Sequence, residues 1–247
     1  MTLSVHVHFT PASIEPEKLK GCTTVVIDVL RASTTIVHAL AHGAQSVIPV
    51  LEVAQALHLA SQSDRTSVLL GGERHGKLIP GFDLDNSPLN DTPDIVRGKT
   101  VIFTTTNGTR ALAKCASADV ILVGAIVNLH AVAVAALKSG RALHLVCAGT
   151  EGEISAEDVL TAGAIASEIQ QLSPSALQWN DLAMIARDYF IQHSATNDSL
   201  YVPFCESRGG RNLLELGYER DIERSVTRDL FEAVPMFHPE SGTITLT

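Results

Sequence analysis

Three polar segments of this sequence carry residue types that bind anions and metals. The densest is Gly71–Pro88, GGERHGKLIPGFDLDNSP, which mixes acids, cations and amides with glycine and proline. Glycine and proline mark loops, and packing alone does not require both charges and amides beside flexible backbone. A solvated hairpin or a mobile lid would use the same loop-forming residues. The composition therefore leaves a plain loop open, but it also suits the wall or lid of a site that binds an anion and a metal.

The second polar segment is DVLRASTT, which begins at Asp28 directly after the apolar run Thr23–Ile27. An acid at this point either pairs with a helix cap or ligates a hard cation, and Mg²⁺ prefers one or two carboxylates with waters and substrate oxygens. Arg31 follows, and Ser33 and Thr34 lie near the predicted helix start. A cap with a surface salt bridge is the alternative interpretation.

The third polar segment is TTTNGTRAL, which follows the apolar run Thr100–Phe103. Gly108 lies where a helix is predicted to begin, and the free N–H groups of a helix start form an anion site. Threonine hydroxyls and Asn107 add donors, and Arg110 adds a planar charge suited to phosphate. An ordinary cap with an exposed arginine remains open. Neither a Walker motif nor GxGxxG is present, so nucleotide binding has no support.

Arginines are concentrated in these segments. The net charge is −9 and the chain has only 18 lysines and arginines, yet each segment contributes one arginine: Arg31, Arg74 and Arg110. Each polar segment follows a short apolar run, and two of them precede apolar residues at helical spacing. In open α/β sheets such loops collect beyond the carboxyl ends of parallel strands. We therefore expect the three segments to form one site for a small polyanionic substrate.

Four ordered motifs carry a family resemblance. DVLRASTT, GGER followed by GFDLDNSP, TTNGTRAL and CAGTEGEISAED resemble the ComB family of 2-phosphosulfolactate phosphatases, from about Thr24 to Pro235. The resemblance implies Mg²⁺-dependent hydrolysis of 2-phospho-3-sulfolactate to sulfolactate and phosphate. Asp85 stands where the family motif usually has glycine. This change could alter a turn or add a carboxylate near the metal.

The three polar segments and the resemblance together suggest roles for individual residues. Asp28, Glu73 and Asp158 are the candidate metal ligands, and the catalytic candidates are Asp28, Glu73 and Arg31. The candidate substrate- and phosphate-binding residues are Ser33, Thr34, Arg74, Lys77, Asn86, Ser87, Thr106, Asn107, Gly108, Thr109 and Arg110, with Arg208 in reserve. Direct attack by water is favoured over an aspartyl-phosphate at Asp28, because the DxD pattern of haloacid dehalogenase-type phosphatases is absent.

Other classes of protein fit less well. The acidic charge argues against nucleic acids and anionic membranes, and no segment approaches the roughly 20 apolar residues of a membrane span. The N-terminus lacks a signal-peptide pattern, and the four cysteines are widely separated, so we expect a cytoplasmic protein. His6 and His8 share one face of a predicted strand, as in amidohydrolase barrels, but later metal ligands do not follow in order. A phosphoester-binding sensor without catalysis remains an alternative, and a homodimer remains open.

The elements that must position these residues alternate between strand and helix. The pattern predicts an α/β fold: a three-layer α/β/α arrangement around a mostly parallel, mixed sheet, with a helical C-terminal part. Residues 1–247 form a single predicted domain, in which 172–235 could form a helical subdomain. Predicted strands are 4–9, 23–28, 46–50, 67–71, 100–104, 119–123, 142–147 and 233–237. Predicted helices are 33–42, 52–62, 107–115, 128–139, 155–170, 178–192, 197–203, 211–217 and 218–225, with a long loop over 72–94. Ser155 and Asp158 are spaced like a capping box at one helix start.

Overall fold

A computed structural model describes residues 3–173, 177–194 and 200–247. The strands are β1 (Leu3–His8), β2 (Thr23–Ile27), β3 (Ser46–Pro49), β4 (Val68–Arg74), β5 (Lys77–Leu78), β6 (Thr100–Thr104), β7 (Val120–Val123), β8 (Leu143–Cys147), β9 (Leu177–Trp179), β10 (Pro235–His238) and β11 (Thr243–Leu246). The α-helices are α1 (Ala32–Ala41), α2 (Val53–Ser61), α3 (Pro93–Val96), α4 (Gly108–Lys114), α5 (Leu129–Lys138), α6 (Ala156–Leu172), α7 (Asp181–His193), α8 (Tyr201–Glu206), α9 (Arg208–Glu215) and α10 (Glu219–Ser225).

All strands join one sheet in the order β5-β4-β6-β3-β11-β10-β7-β2-β8-β1-β9. One parallel block contains β4, β6 and β3, and the other contains β7, β2, β8, β1 and β9. The antiparallel hairpin β10–β11 lies between the two blocks and contacts each by a single bridge, Met236 to Leu122 and Ile244 to Val47. The sheet is therefore mixed but mostly parallel, as predicted.

The central strands read as continuous apolar runs because both of their faces are covered. Every residue of β2 and of β8 is buried. Val25 and Ile27 of β2 pack into a cluster with helices α5, α6 and α7, and Val26 packs on the opposite face. Helices thus lie on both faces of the sheet, which confirms the three-layer α/β/α prediction.

Helices α1 and α4 pack against side chains from both parallel blocks of the sheet. One apolar cluster combines Ile36 of α1 and Leu112 of α4 with side chains from both parallel blocks, including Val26 of β2 and Phe103 of β6. The carboxyl ends of both blocks, and the starts of α1 and α4, therefore face one cleft.

The C-terminal helices share the core of the second block. Ala186 of α7, Phe204 of α8, Leu213 of α9 and Ile222 of α10 are buried in the same cluster as β1, β2 and β8. Of the helices in the described ranges, none has the length and apolar character needed to cross a membrane. The four cysteines are free thiols, three of them buried.

Several predicted boundaries are wrong. The helix predicted over 178–192 begins only at Asp181, because Leu177–Trp179 forms a strand that pairs parallel with β1. The strand predicted over 233–237 is the first strand of a hairpin whose second strand, β11, the prediction lacks. The loop predicted over 72–94 begins after Arg74, and it contains the short β5 and the first residues of α3. The helix predicted over 197–203 begins at Tyr201 in the described residues, and 195–199 lie outside them.

Candidate active site

A pocket of about 220 Å³ lies where the loops after β2, β4, β6 and β8 meet α9. The three polar segments identified in the sequence therefore do meet at one place. The pocket is lined by Asp28, Leu30, Arg31, Glu73, His75, Gly76, Asn86, Thr105, Thr106, Asn107, Thr150, Glu151, Arg208, Gly209, Asn212 and Leu213.

Asp28 lies between the starts of two helices. The backbone N–H groups of Ala32 in α1 and Gly108 in α4 lie near its carboxylate, while its own N–H donates to the Ser33 hydroxyl at 2.7 Å. Gly108 allows this approach, because a Cβ added there would lie 2.8 Å from Asp28 Oδ2. Burial and the nearby charges of Glu73 and Glu157 raise the pKa of Asp28 to about 7, although the two N–H groups oppose this shift.

Glu73 joins the loop after β4 to the loop after β6. Its Oε1 accepts hydrogen bonds from the N–H and the hydroxyl of Thr106, both at 2.9 Å. Its Oε2 accepts from the N–H of Gly76 at 2.7 Å. The Gly71–Pro88 segment is therefore a wall of the pocket that also contains Asp28.

Asp158 is buried at the start of α6 and does not line the pocket. Its Oδ1 accepts from the Val29 N–H at 2.9 Å and its Oδ2 from the Gly149 N–H at 3.0 Å. Burial, followed by the charges of Asp28 and Glu157, raises its pKa. The predicted capping box is wrong, since the Ser155 side chain makes no cap hydrogen bond. A metal-binding role for Asp158 stays a prediction.

Glu157 is a candidate residue that the sequence interpretation missed. It is buried beside Asp158, and its Oε2 has no hydrogen-bond partner among the described residues. Burial raises its pKa, and the nearby backbone N–H of Glu157 itself, the Ser207 side chain and the Gly209 N–H oppose this shift. The signal was the first of the two consecutive acids in ISAED, but the capping-box spacing directed attention to the second, Asp158.

The donor set suits a hard cation. The charges of Glu73 and Glu157 raise the pKa of Asp28, and those of Asp28 and Glu157 raise the pKa of Asp158. All of these donors are carboxylate oxygens. Within the described ranges, no group of three or more His, Cys, Asp or Glu side chains is placed so that it could hold a metal ion. Mg²⁺ needs only one or two carboxylates, with water and substrate oxygens completing its shell. Asp28 and Glu73, which both line the pocket, fit that arrangement.

Arg31 lines the pocket, but its guanidinium is committed to the protein. It is buried, with one terminal nitrogen 2.6 Å from Asp221 Oδ2 and the other donating to the Gly76 carbonyl at 2.9 Å. Its charge also lies 4.2 Å from the centre of the Tyr218 ring. Arg31 therefore joins the loop after β2 to α10.

The remaining predicted binding residues divide into three groups. Asn86, Thr106 and Asn107 line the pocket. A small, mainly apolar cavity beside it is lined by Ser33, Gly108 and Thr109. The residues that line neither cavity are Thr34, Arg74, Lys77, Ser87 and Arg110.

Protein partners explain part of this division. The Thr34 hydroxyl donates to the Val29 carbonyl, and the Ser87 hydroxyl donates to Asp221. Arg74 donates to the carbonyls of Glu73 and Leu51 and to the Thr104 hydroxyl. Lys77 and Arg110 are exposed.

Asp85 adds no carboxylate to the pocket lining. Its Oδ1 accepts from the Ser87 N–H and the Asn90 amide, both at 2.8 Å, and its Oδ2 accepts from the Tyr218 hydroxyl at 2.9 Å. This side chain thus fastens the Gly71–Pro88 segment to the C-terminal helices.

Two unpartnered polar atoms also belong to pocket residues. The Thr105 hydroxyl and Asn86 Oδ1 are buried and have no hydrogen-bond partner among the described residues. Asn86 itself is held in place, because its carbonyl accepts from the Thr35 hydroxyl of α1 at 2.9 Å. Buried polar groups without partners are costly, so both atoms are suited to receive a polar ligand. Thr105 was not singled out in the sequence.

A family model described as 2-phosphosulpholactate phosphatase matches residues 8–240. The chain belongs to this family. A relative named probable 2-phosphosulfolactate phosphatase from Caldanaerobacter subterraneus subsp. tengcongensis is 46% identical over 223 residues, or 90% of each chain. Relatives of the same name come from Thermotoga maritima, 42% identical over 86% of this chain and 88% of the relative, and from Clostridium novyi, 36% identical over 96% and 97%. Membership in the 2-phosphosulpholactate phosphatase family confirms the resemblance seen in the motifs.

Proposed function

We propose that this protein hydrolyses 2-phosphosulfolactate to sulfolactate and inorganic phosphate with the help of Mg²⁺. Family membership supports the substrate and the type of reaction. The observation that carries the proposal is the pairing of Asp28 and Glu73 in one pocket, with Asp28 held at the starts of α1 and α4. Carboxylate oxygens suit a hard cation, and the N–H groups at the helix starts suit a phosphoester.

The phosphate group is assigned to the part of the pocket between Asp28 and the loop after β6. There the Thr105 hydroxyl and Asn86 Oδ1 have no hydrogen-bond partner among the described residues. The Thr105 hydroxyl can donate to a phosphate oxygen, whereas Asn86 can do so only through its N–H₂ group. Exchanging the oxygen and nitrogen positions of the Asn86 amide would present its N–H₂ group to the phosphate. Asn107 lines the same wall.

Asp28 is assigned the central catalytic role. Its carboxylate lines the pocket near the N–H groups that begin α1 and α4, and we assign to it the orientation of the attacking water and the acceptance of its proton. Glu73 holds Thr106 and Gly76 in position and presents a second carboxylate to the pocket. Asp28 and Glu73 would hold Mg²⁺, and the ion when bound would supply positive charge for the phosphoryl oxygens.

The decisive experiment is a phosphate-release assay on 2-phosphosulfolactate, phospholactate and a generic aryl phosphate, each with Mg²⁺ and with EDTA. We expect phosphosulfolactate to have the highest kcat/KM and EDTA to abolish turnover. Equal turnover of phospholactate would assign the enzyme to another phosphorylated hydroxy acid. Turnover that persists in EDTA would contradict the Mg²⁺ requirement. Binding of phosphosulfolactate without any phosphate release would indicate a sensor instead of an enzyme.

A further inference from the structure

Part of the pocket wall comes from segments that lie far along the chain from Asp28 and Glu73. It is formed by Arg208, Gly209 and Asn212 of α9 and by Thr150 and Glu151 of the loop after β8. The proposed substrate carries a sulfonate and a carboxylate in addition to the phosphate that is transferred. These two groups need positive charge or hydrogen-bond donors of their own.

Few cations are available to them. Of the lysines and arginines in the described part of the chain, only Arg31 and Arg208 line the pocket. Arg31 is 1% exposed and is paired with Asp221, which is itself 3% exposed. Removing Arg31 from that partner would leave a buried charge unpaired, which is costly. Arg208, by contrast, is 42% exposed, and its ion-pair partner is Glu151, which is 57% exposed.

The Arg208–Glu151 pair is built so that its side chains can separate while its backbone stays fixed. Ser207 caps α9 by accepting a hydrogen bond from the Gly210 N–H at 3.0 Å, which fixes the start of the helix that carries Arg208. The N–H of Glu151 donates to Asn107 Oδ1 at 3.1 Å. Exposed ion pairs contribute little net stability, so an anionic ligand can replace the Glu151 carboxylate at small cost.

We propose that Arg208 is a specificity-determining residue that binds an acidic group of the substrate which is not transferred, and that Glu151 occupies Arg208 until the substrate displaces it. The planar guanidinium offers paired donors that match a carboxylate or a sulfonate. The identity of the substrate in this inference rests on the proposed function. Glu151 therefore acts as an internal competitor at the pocket entrance.

Kinetics with three substrates test this assignment. R208A should lower kcat/KM for phosphosulfolactate about tenfold to a hundredfold, mainly through KM, because one charge-assisted contact is lost. The loss with an aryl phosphate, which lacks both acidic groups, should be at least about tenfold smaller. Phospholactate keeps the carboxylate and lacks the sulfonate. If R208A loses as much kcat/KM with phospholactate as with phosphosulfolactate, Arg208 binds the carboxylate. If it loses less, Arg208 binds the sulfonate.

Matched variants separate recognition from general damage. E151Q keeps the shape and the backbone contacts of Glu151 but removes its charge, so KM for phosphosulfolactate should fall about twofold to fivefold. Arg220 is exposed on α10 and does not line the pocket, and R220A should match wild type with every substrate. Equal losses in R208A with all three substrates, or a higher KM in E151Q, would overturn the assignment.

Calorimetry with sulfolactate tests the same inference without any turnover. Sulfolactate carries both acidic groups and no phosphate, and wild type should bind it at least about tenfold more tightly than R208A. Equal affinity in the two proteins, or no binding by wild type, would refute the role of Arg208. If wild type releases no phosphate but R208A still weakens sulfolactate binding, the proposed hydrolysis fails and the recognition site stands.

Discussion

At the scale of single residues, the contact between Gly108 and Asp28 limits where the proposed catalytic carboxylate can lie. A Cβ at Gly108 would lie 2.8 Å from Asp28 Oδ2 and 2.9 Å from the Ala32 Cβ, both closer than such atoms pack. Gly108 has no positive φ, so alanine is compatible with the backbone there. Replacing Gly108 by alanine can thus displace the Asp28 side chain without straining the backbone at position 108.

We expect G108A to lower kcat/KM at least about tenfold while circular dichroism and the thermal midpoint stay close to wild type, since alanine favours helices over glycine. A113G, on the exposed side of the same helix, is the control: it weakens α4 intrinsically but leaves Asp28 untouched. Full activity in G108A would show that the position of the Asp28 carboxylate does not matter.

Glu157 provides a second prediction at this scale. Without a cation, its buried carboxylate repels Asp28 and Asp158, and its Oε2 has no partner in the described residues. E157Q should therefore be at least as stable as wild type in EDTA, yet should gain roughly 2–4 °C less in thermal midpoint when Mg²⁺ is added. E153Q changes an exposed acid in the same segment and should behave as wild type. An undiminished Mg²⁺ effect in E157Q would exclude Glu157 from the metal site.

Residue type and position were enough to find part of the site from the sequence. Asp28, Glu73, Asn86, Thr106 and Asn107 were selected because polar residues after apolar strands face the ligand edge of a parallel sheet, and all five line the pocket. Long-range pairing was invisible by contrast. The sequence predicts Arg31 to contact the substrate. Its ion-pair partner Asp221 lies 190 residues away in the chain, so no local pattern indicates that pairing.

At the scale of elements, α10 and the Gly71–Pro88 wall are clamped together through buried charges. Asp221 of α10 accepts from Arg31 at 2.6 Å and from the Ser87 hydroxyl at 2.7 Å. Tyr218 adds a hydrogen bond to Asp85 at 2.9 Å. The C-terminal helices therefore fix the geometry of two loops that precede them by more than a hundred residues.

D221N should reduce the free energy of unfolding by about 3–5 kcal/mol, because it leaves the buried Arg31 charge without its partner. Urea denaturation measures this change, and kcat/KM should fall with it, since Arg31 also holds Gly76. E223Q, an exposed acid on the same helix, should stay within about 0.5 kcal/mol of wild type. A D221N protein as stable as E223Q would show that the clamp is dispensable.

Elements with strong local signals were predictable, and elements created by pairing were not. The strand, loop and helix units around Asp28 and Gly108 follow from apolar runs and periodicity. Strand β9 has only three residues and forms because Leu177–Trp179 pairs with β1, while Asn180 accepts from the Val7 N–H at 3.0 Å and caps α7. Strand β11 likewise depends on its hairpin partner, β10.

At the scale of the whole molecule, pH acts on buried groups in two opposite directions. His8 and His144 lie on adjacent strands with their ring nitrogens 2.9 Å apart, and burial lowers the pKa of each to about 4. Their contribution to stability is complete above the unfolded value of about 6.5 and is lost as pH falls towards 4, because the unfolded chain binds protons first. Asp91, whose pKa is raised by burial, opposes this trend.

Comparing the thermal midpoints of wild type and a His144 variant isolates the stability lost when the buried histidines are protonated. Between pH 6.5 and 4, the thermal midpoint of H144Q should fall less than that of wild type, by roughly 2–4 °C. H58Q removes an exposed histidine on α2 and should follow the wild-type curve. Parallel curves for H144Q and wild type would show that His144 keeps its ordinary pKa in the folded protein.

The central claim is that Asp28 performs phosphoester hydrolysis in the pocket formed by both halves of the sheet. Its most direct test is kcat/KM for 2-phosphosulfolactate with Mg²⁺ in wild type, D28N and D188N, where Asp188 is an exposed acid on α7. We predict that D28N keeps its circular dichroism spectrum and loses activity by roughly a hundredfold to ten-thousandfold, while D188N matches wild type. Near wild-type turnover by folded D28N would contradict the account.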